Sequence, residues 1–437
     1  MVMKLEIKKY GINGEGIAYD HSIPVFIKET LVGEIVDASI VEDKRKYKIA
    51  RINKLIKTSS KRAKVQCKYY KKCGACALLH ADYAEQLICK KAILEESLAK
   101  YAGVDMDVKI EASPKTKHYR NALKLPIKKI ANKLVAGLYE DGTNRFIRIE
   151  NCLNHDAKLQ RNLNIVLNVL NKHHIDAYDN KTKRGIRYIT LRLLDDKCAL
   201  CLVSGSDEID EAIIQEILLN SDIASIYQSI NTSKSHEIYG KNMRHLGGSK
   251  ALVFTYKDLK MEISIRSFMQ LNTQAAFKLY DYVYNLVDDD NKLIIEAYSG
   301  LGLMSFLLHE KAEEVVGIEI IEDAVRNANA NVKRNKINNI KFITGDCADV
   351  LYHKYRKTHI DTLIVDPPRT GLDDRMLECL LKAKPDNIIY ISCNPATLSK
   401  NINTLLGQYR IKSIRAFDLF PNTQHVETVV QLIRKNS

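Results

Sequence analysis

The sequence predicts a multidomain chain: a small all-β barrel over residues 1–60, an α+β central domain carrying a cysteine cluster over 61–260, and a C-terminal α/β doubly wound, Rossmann-like domain over 261–437. Three observations predict it. Five short β-prone runs, broken by Gly, Asn and Asp, fill the first segment with no helical period between them. Four cysteines at uneven spacing, Cys67, Cys73, Cys76 and Cys152, mark the second. In the third, strand-like runs alternate with roughly ten-residue helical patterns, the signature of a parallel sheet covered on both faces.

At 437 residues the chain exceeds one ordinary domain, and a hydrophobic content of 46% is enough for real cores. No apolar run approaches the roughly 18 residues that a membrane span needs. Met1 to Tyr10 alternate charged and aliphatic residues rather than forming a signal peptide, so a cytoplasmic protein without a membrane partner is expected. The net charge of +14 is concentrated: thirteen Lys or Arg stand between Val41 and Lys72 against Glu42 and Asp43 alone. Such a stripe suits phosphates, and Tyr47, Tyr69 and Tyr70 within it suit stacking on unpaired bases. RNA is the partner this pattern favours, against the plainer reading of a solvated basic face. No obligate protein partner is implied.

The strand-like runs of the first segment are 4–7, 16–19, 24–27, 34–38 and 47–52, an arrangement expected of an oligonucleotide-binding type of barrel, whose closure removes its edges. The phrase Gly14-Glu15-Gly16-Ile17-Ala18-Tyr19-Asp20, followed by Pro24-Val25-Phe26 and Gly33-Glu34, resembles the TRAM domain, an RNA-binding barrel attached to many RNA-modifying enzymes.

Ten cysteines in a reducing compartment argue against a disulfide framework. Cys67, Cys73 and Cys76 are spaced C-x5-C-x2-C, running into Ala77-Leu78-Leu79-His80. Three thiolates so close need a fourth ligand, and Cys152 is the next cysteine outside the helix expected to hold Cys89. Four thiolates suit tetrahedral zinc or an iron–sulfur cluster, and spacing alone leaves both open. Cys89, Cys198, Cys201, Cys347 and Cys379 fall in helix or strand patterns and read as core. Leu87, Leu94, Leu98 and Tyr101 share one face of a packing helix over 81–101, assigned to the central domain. Beyond Cys152, residues 110–260 carry no motif with evident chemistry.

The last domain is organised around Ile388 to Lys400. Its β-prone start is broken by Asn394-Pro395, and Ala396 onward reads as helix, so Cys393 falls at the carboxyl end of a parallel strand, the edge where open α/β sheets bind ligands. A thiol just before a helix start is expected to shift toward thiolate, unless it is a half-buried structural cysteine. Glu296-Ala297-Tyr298-Ser299-Gly300-Leu301-Gly302 follows one strand and opens a helix. Glu319 ends the next strand as an acceptor for ribose hydroxyls; Asp346 and Asp366 end the third and fourth. The third glycine of the dinucleotide fingerprint is missing and Leu303-Met304 leave no room for a pyrophosphate, which favours S-adenosylmethionine over a nicotinamide cofactor.

Asp366-Pro367-Pro368 precedes Arg369, where enzymes that methylate exocyclic amines of bases generally carry an aromatic. Another route to activation is then needed. Addition of Cys393 to carbon 6 of uracil makes carbon 5 nucleophilic, and the proton on carbon 5 requires a general base, for which His425 and Glu427 are the candidates.

Taken together, Cys73-Gly74-Ala75-Cys76 with His80, Phe268-Met269-Gln270-Leu271-Asn272, Asp366-Pro367-Pro368-Arg369, Ser392-Cys393-Asn394-Pro395 and His425-Val426-Glu427-Thr428 resemble the RNA uracil-5-methyltransferases. The resemblance spans nearly the whole chain. It implies Cys393 as nucleophile and Glu427 as the base; Gln270, Tyr298, Glu319, Asp346 and Asp366 as S-adenosylmethionine contacts; and Cys67, Cys73, Cys76 and Cys152 as ligands of a [4Fe-4S] cluster. Glu296-Ala297 and Tyr298-Ser299 depart from the family's commoner Asp-Leu and Phe-Cys without removing a catalytic group. Members with both the TRAM barrel and the four cysteines point to 23S ribosomal RNA, with transfer RNA the alternative. A non-catalytic RNA-binding protein on the same fold is the competing reading.

Overall fold

The computed structural model describes residues 2–235 and 237–435. The first unit contains the five expected strands, as Val2–Glu6, Gly16–Asp20, Ile23–Ile27, Ile35–Lys44 and Tyr47–Lys57, plus a two-residue strand, Lys9–Tyr10. Leu5, Val25, Ile27, Val36 and Ala38 point inward at the period of two that a half-buried sheet demands. Register breaks along the hairpin formed by the two longest strands bend the sheet around that core.

The central unit is a seven-stranded sheet in the order Phe146–Arg148, Lys133–Tyr139, Ala122–Ile130, Ile186–Leu194, Lys197–Ser204, Ile223–Ile230, Asn242–Gly248. Helices Ala157–Lys172 and Glu211–Asn220 cover one face, where Leu123, Leu125, Ile189, Leu191, Leu200 and Leu202 are buried. Alternate residues of the same strands face the other way: Lys124 lies opposite Thr190, and Ala122 opposite Arg192.

Eight strands form the third sheet, in the order Ile340–Thr344, Ala312–Glu319, Asn291–Ala297, Thr362–Val365, Asn387–Ser392, Glu427–Arg434, Tyr409–Phe417, Lys109–Glu111. The first five are parallel, and the order reverses between Asn291–Ala297 and Thr362–Val365, a topological switch point. Glu427–Arg434 inserts antiparallel beside Asn387–Ser392.

Two segments assigned to 61–260 belong with this sheet instead. Helix Tyr83–Ala102 lies on helix Pro395–Leu405, its Leu94 and Leu98 buried in the core under the sheet, and Lys109–Glu111 pairs in parallel with Tyr409–Phe417. The hairpin Leu252–Tyr256 with Leu259–Ile263 likewise joins this side: Asn331 of helix Glu322–Arg334 and Asn335 just past its end accept from the N–H groups of Glu262 and Lys260, respectively. The apolar face of the helix was legible, but its partner lies about three hundred residues downstream, beyond the reach of local pattern. Among the described residues no helix is long and apolar enough to cross a membrane.

Candidate active site

Strand Asn387–Ser392 is buried throughout and stops where Asn394 caps the next helix, accepting from the N–H of Ala396 at 3.1 Å, with Pro395 in the first turn. Cys393, between them, is half-buried at the sheet's carboxyl edge. The neighbouring antiparallel strand pairs Thr428 with Ser392, so Glu427 stands beside Cys393 across the pair. Asp366, one residue beyond Thr362–Val365, joins them from the strand on the other side. Three functional groups thus meet because three strand ends do.

Burial, then the charges of Glu427 and Asp366, push the Cys393 thiol up to about 11, opposed by Arg369. The expected shift toward thiolate is therefore reversed in the free protein: desolvation beside two carboxylates outweighs the helix start. Burial raises Asp366 up to about 7, and burial plus the Asp366 charge holds Glu427 well above the usual carboxylate range. The pair holds a proton at neutral pH. Glu296, also buried, is raised to about 7, while accepting from the N–H of Ser305 at 2.8 Å and from its hydroxyl. His425 is pushed down to about 4 by burial and by Arg369, Lys90 and Arg120. It is a neutral imidazole at physiological pH.

At the switch point Tyr298, Gly300 and Gly302 all have positive φ. A Cβ on Gly302 would lie 2.1 Å from the Phe342 ring, which requires glycine there, whereas one on Gly300 would meet nothing within 4 Å. Gly300 thus faces open space. Both carboxylate oxygens of Glu319 are held by backbone, from Gly300 N–H and Ile321 N–H at 2.9 Å each, which aims their remaining lone pairs. Ser299 Oγ is buried without a partner beside them. An adenosyl group with its ribose on Glu319 fits this cradle. Asp346 is half-buried and caps the short helix Cys347–Val350, accepting from Asp349 N–H at 3.1 Å, with Arg375 at 3.5 Å. Gln270 comes from a different element: its segment is anchored to the central sheet by Asn121, whose Nδ2 donates to the Gln270 carbonyl at 2.9 Å.

Cys67, Cys73, Cys76 and Cys152 line one cavity of about 400 Å³. Burial raises Cys73 and pushes Cys76 up to about 12, with Cys152 adding to both and Arg120 opposing. Asn154 Nδ2 donates to Cys76 Sγ at 3.3 Å. Among the described residues no three of these sulfurs come within 4.8 Å of one another, whereas tetrahedral zinc draws thiolates to about 3.8 Å apart. His80 is not a fifth ligand candidate: its Nδ1 meets Tyr70 hydroxyl at 2.8 Å and its Nε2 the Thr30 carbonyl at 3.3 Å.

The basic stripe is less free than its composition suggests. Arg62 forks onto buried Glu34 at 2.7 and 2.8 Å, Lys48 lies 2.9 Å from Asp20, and the Tyr70 hydroxyl meets His80. Sequence reasoning also missed the joints behind the site. Lys90 and Asp418, both fully buried, pair at 2.5 Å, and Lys90 also donates to the Phe420 carbonyl at 2.9 Å. Asn422, at φ 70°, donates to Asn154 Oδ1 at 3.0 Å while its own N–H donates to Gln86 at 2.8 Å. The loop leading to His425 and Glu427 is thereby tied to the cysteine loop. A polar residue at positive φ after proline was the one local signal, since Asn tolerates that region.

A doubly wound sheet with a glycine turn and ribose-accepting carboxylate at its switch point, and base-directed groups at adjoining strand ends, defines an S-adenosylmethionine-dependent methyltransferase. Residues 82–435 match the family described as tRNA (Uracil-5-)-methyltransferase, and residues 2–52 match the TRAM domain. A Bacillus cereus protein named an uncharacterized RNA methyltransferase is 34% identical over 98% of this chain and 96% of its own length, and a Listeria innocua protein of the same description is 32% identical over 99% and 98%. The crystal structure of Pyrococcus abyssi tRNA (uracil-54, C5)-methyltransferase with S-adenosyl-L-homocysteine superposes with a TM-score of 0.77 at 26% identity, covering 99% of this chain and 100% of that one. The chain belongs to the RNA uracil-5-methyltransferase family and carries its TRAM domain.

Proposed function

We propose that this enzyme methylates carbon 5 of a uridine in 23S ribosomal RNA through a covalent adduct between Cys393 and carbon 6, with Glu427 as the base. The observation that carries the reading is the adjacency of Cys393 and Glu427 at neighbouring strand ends, with Asp366 beside both. S-adenosylmethionine supplies the methyl group as a sulfonium and keeps the electron pair of the broken bond as a neutral thioether. Cys393 Sγ bonds to carbon 6 as its proton passes to the carboxylate pair, and the C5=C6 electrons move toward carbon 5. Carbon 5 takes the methyl group. Glu427 then removes the remaining carbon 5 proton, the double bond reforms, and Cys393 leaves as thiolate. Because the pair shares one proton at rest, one carboxylate site is open; it takes the thiol proton, passes it to solvent, and is then free for the carbon 5 proton.

Gln270, Tyr298, Glu319, Asp346 and Asp366 would hold the cofactor around the switch point. The four cysteines, which line one cavity, would hold a [4Fe-4S] cluster as the family resemblance implies, with Arg120 offsetting its negative charge. The ribosomal target is supported by the joint presence of TRAM barrel and four cysteines. Transfer RNA is the second reading, favoured by the tRNA specificity in the name of the Pyrococcus abyssi enzyme.

Anaerobically purified protein incubated with unmodified ribosomal and transfer RNA and methyl-labelled cofactor tests both. Label in 5-methyluridine from ribosomal RNA is expected; label from transfer RNA alone would overturn the substrate. Cys393→Ala should abolish turnover while retaining cofactor binding, and normal turnover in that variant would sink the adduct mechanism.

A further inference from the structure

The cavity lined by the four cysteines extends under the open face of the central sheet, where it is strongly cationic. Arg120, Lys124, Arg192 and Arg266 line it, and no Asp or Glu does among the described residues. Arg120 is set apart as the neighbour of Tyr119 and of the cysteines Cys152 and Cys76. Arg192 is 8% exposed, and its Nη1 is buried without a hydrogen-bond partner. Arg266 donates from Nη2 to the Lys241 carbonyl at 3.0 Å, yet its Nε is buried and unpaired. Lys124 has the Tyr239 ring at 5.2 Å and no carboxylate. Burial depresses both Arg192 and Lys124, and Arg192 depresses Lys124 further by like charge.

A buried cation without a counter-charge is costly, so a fold retains Arg192 and Arg266 in one cavity, each with a buried and unpaired N–H, only where something outside the chain compensates them. The compensating group must be an anion small enough for the cavity and able to accept several N–H donors at once, a description that fits a phosphate diester. The cavity's rim includes Phe268 and Met269, which precede Gln270 in the anchored segment of the candidate site. We propose that Arg192 and Arg266, with the exposed Lys124 at the cavity's edge, form a subsite for one backbone phosphate of the RNA substrate, close to the reacting nucleotide. This rests on RNA being the substrate and is independent of which RNA is methylated or of the cysteine adduct.

The experiment measures binding rather than methyl transfer, so it stands even if the adduct mechanism fails. Arg192→Met, Lys124→Met and, as a surface-charge reference, the exposed Lys412→Met are titrated with a short oligouridylate over a range of KCl concentrations. Thermal midpoints and S-adenosylhomocysteine affinity are measured on the same samples. Expected for the two cavity variants are an affinity loss of at least about tenfold, larger than for Lys412→Met, and a salt slope shallower by about 0.7 per lost phosphate contact. Their midpoints should be equal to or above that of the parent, because an uncompensated charge has been removed. Unchanged RNA affinity and slope would overturn the subsite. Lowered midpoints in both variants would assign the cations to structure instead, and weakened S-adenosylhomocysteine binding with RNA unaffected would assign the anion to the cofactor's carboxylate.

Discussion

Two chambers of this molecule carry unbalanced charge of opposite sign. Around Cys393 the buried groups are carboxylates, Asp366, Glu427 and Glu296, all held above their usual range by desolvation. Under the central sheet the buried group is a cation, Arg192, held below its usual range for the same reason, with the exposed Lys124 beside it shifted the same way. Each chamber is costly to maintain empty, and each matches one part of what this family binds: a sulfonium on the acidic side and a polyphosphate chain on the basic side. The difference teaches that desolvated charge here is distributed by ligand rather than neutralised within the chain. Where the fold does need stability without a ligand, at Lys90 and Asp418, it closes the pair.

The comparison breaks most strongly at Glu427. Glu427→Gln should slow product release by about 10²–10⁴-fold while adduct forms, so that protein covalently linked to methylated RNA accumulates on a denaturing gel. Absence of that species would remove Glu427 from the proton-transfer step. Next is the neutralised pair. Lys90→Met should cost about 3–5 kcal/mol in chemical denaturation, because Asp418 is left buried and alone, and adding Asp418→Leu should restore much of it.

A smaller effect separates the chambers by the sign of their pH response. Glu296 is raised from 4.5 to about 7 on folding, so the folded protein binds the proton more tightly. The stability this contributes is complete below about pH 4.5 and is lost as pH climbs through about 7. Glu296→Gln keeps the acceptor for Ser305 without the charge, and should be more stable than the parent at pH 8 by up to about 3 kcal/mol, with no advantage near pH 4.5. Lys124 is shifted the other way: its folded form prefers the neutral amine, so stability rises with pH as the alkaline range nears 10.5. Lys124→Met should flatten that rise and leave the acidic limb alone, as read from denaturation midpoints across pH.

Much of the acidic chamber was legible because its chemistry sits at strand ends, where a β-prone run, a breaker and a polar residue fall within a few positions. Cys393, Asp366 and Glu319 were each found in that way. The basic chamber was not. Lys124 and Arg192 alternate with buried leucines, the pattern of an ordinary solvated sheet face, and only the covering by the cysteine loop and the Phe268 segment makes Arg192 interior while Lys124 stays exposed. Cys393's protonation was misjudged for a related reason: helix position is local, but the carboxylates that raise the thiol arrive from two other strands. Lys90 with Asp418, 328 residues apart, left no trace at all.

The edge strand Lys109–Glu111 and the helix before it have a bearing on how the chain is made. They are synthesised ahead of the central sheet, yet their partners, Tyr409–Phe417 and Pro395–Leu405, are made only after it. The central unit is therefore an insertion that can finish folding while the catalytic unit is still waiting for its other half. A fragment beginning at residue 261 would emerge with an uncovered helix groove and an open sheet edge, and should aggregate rather than fold.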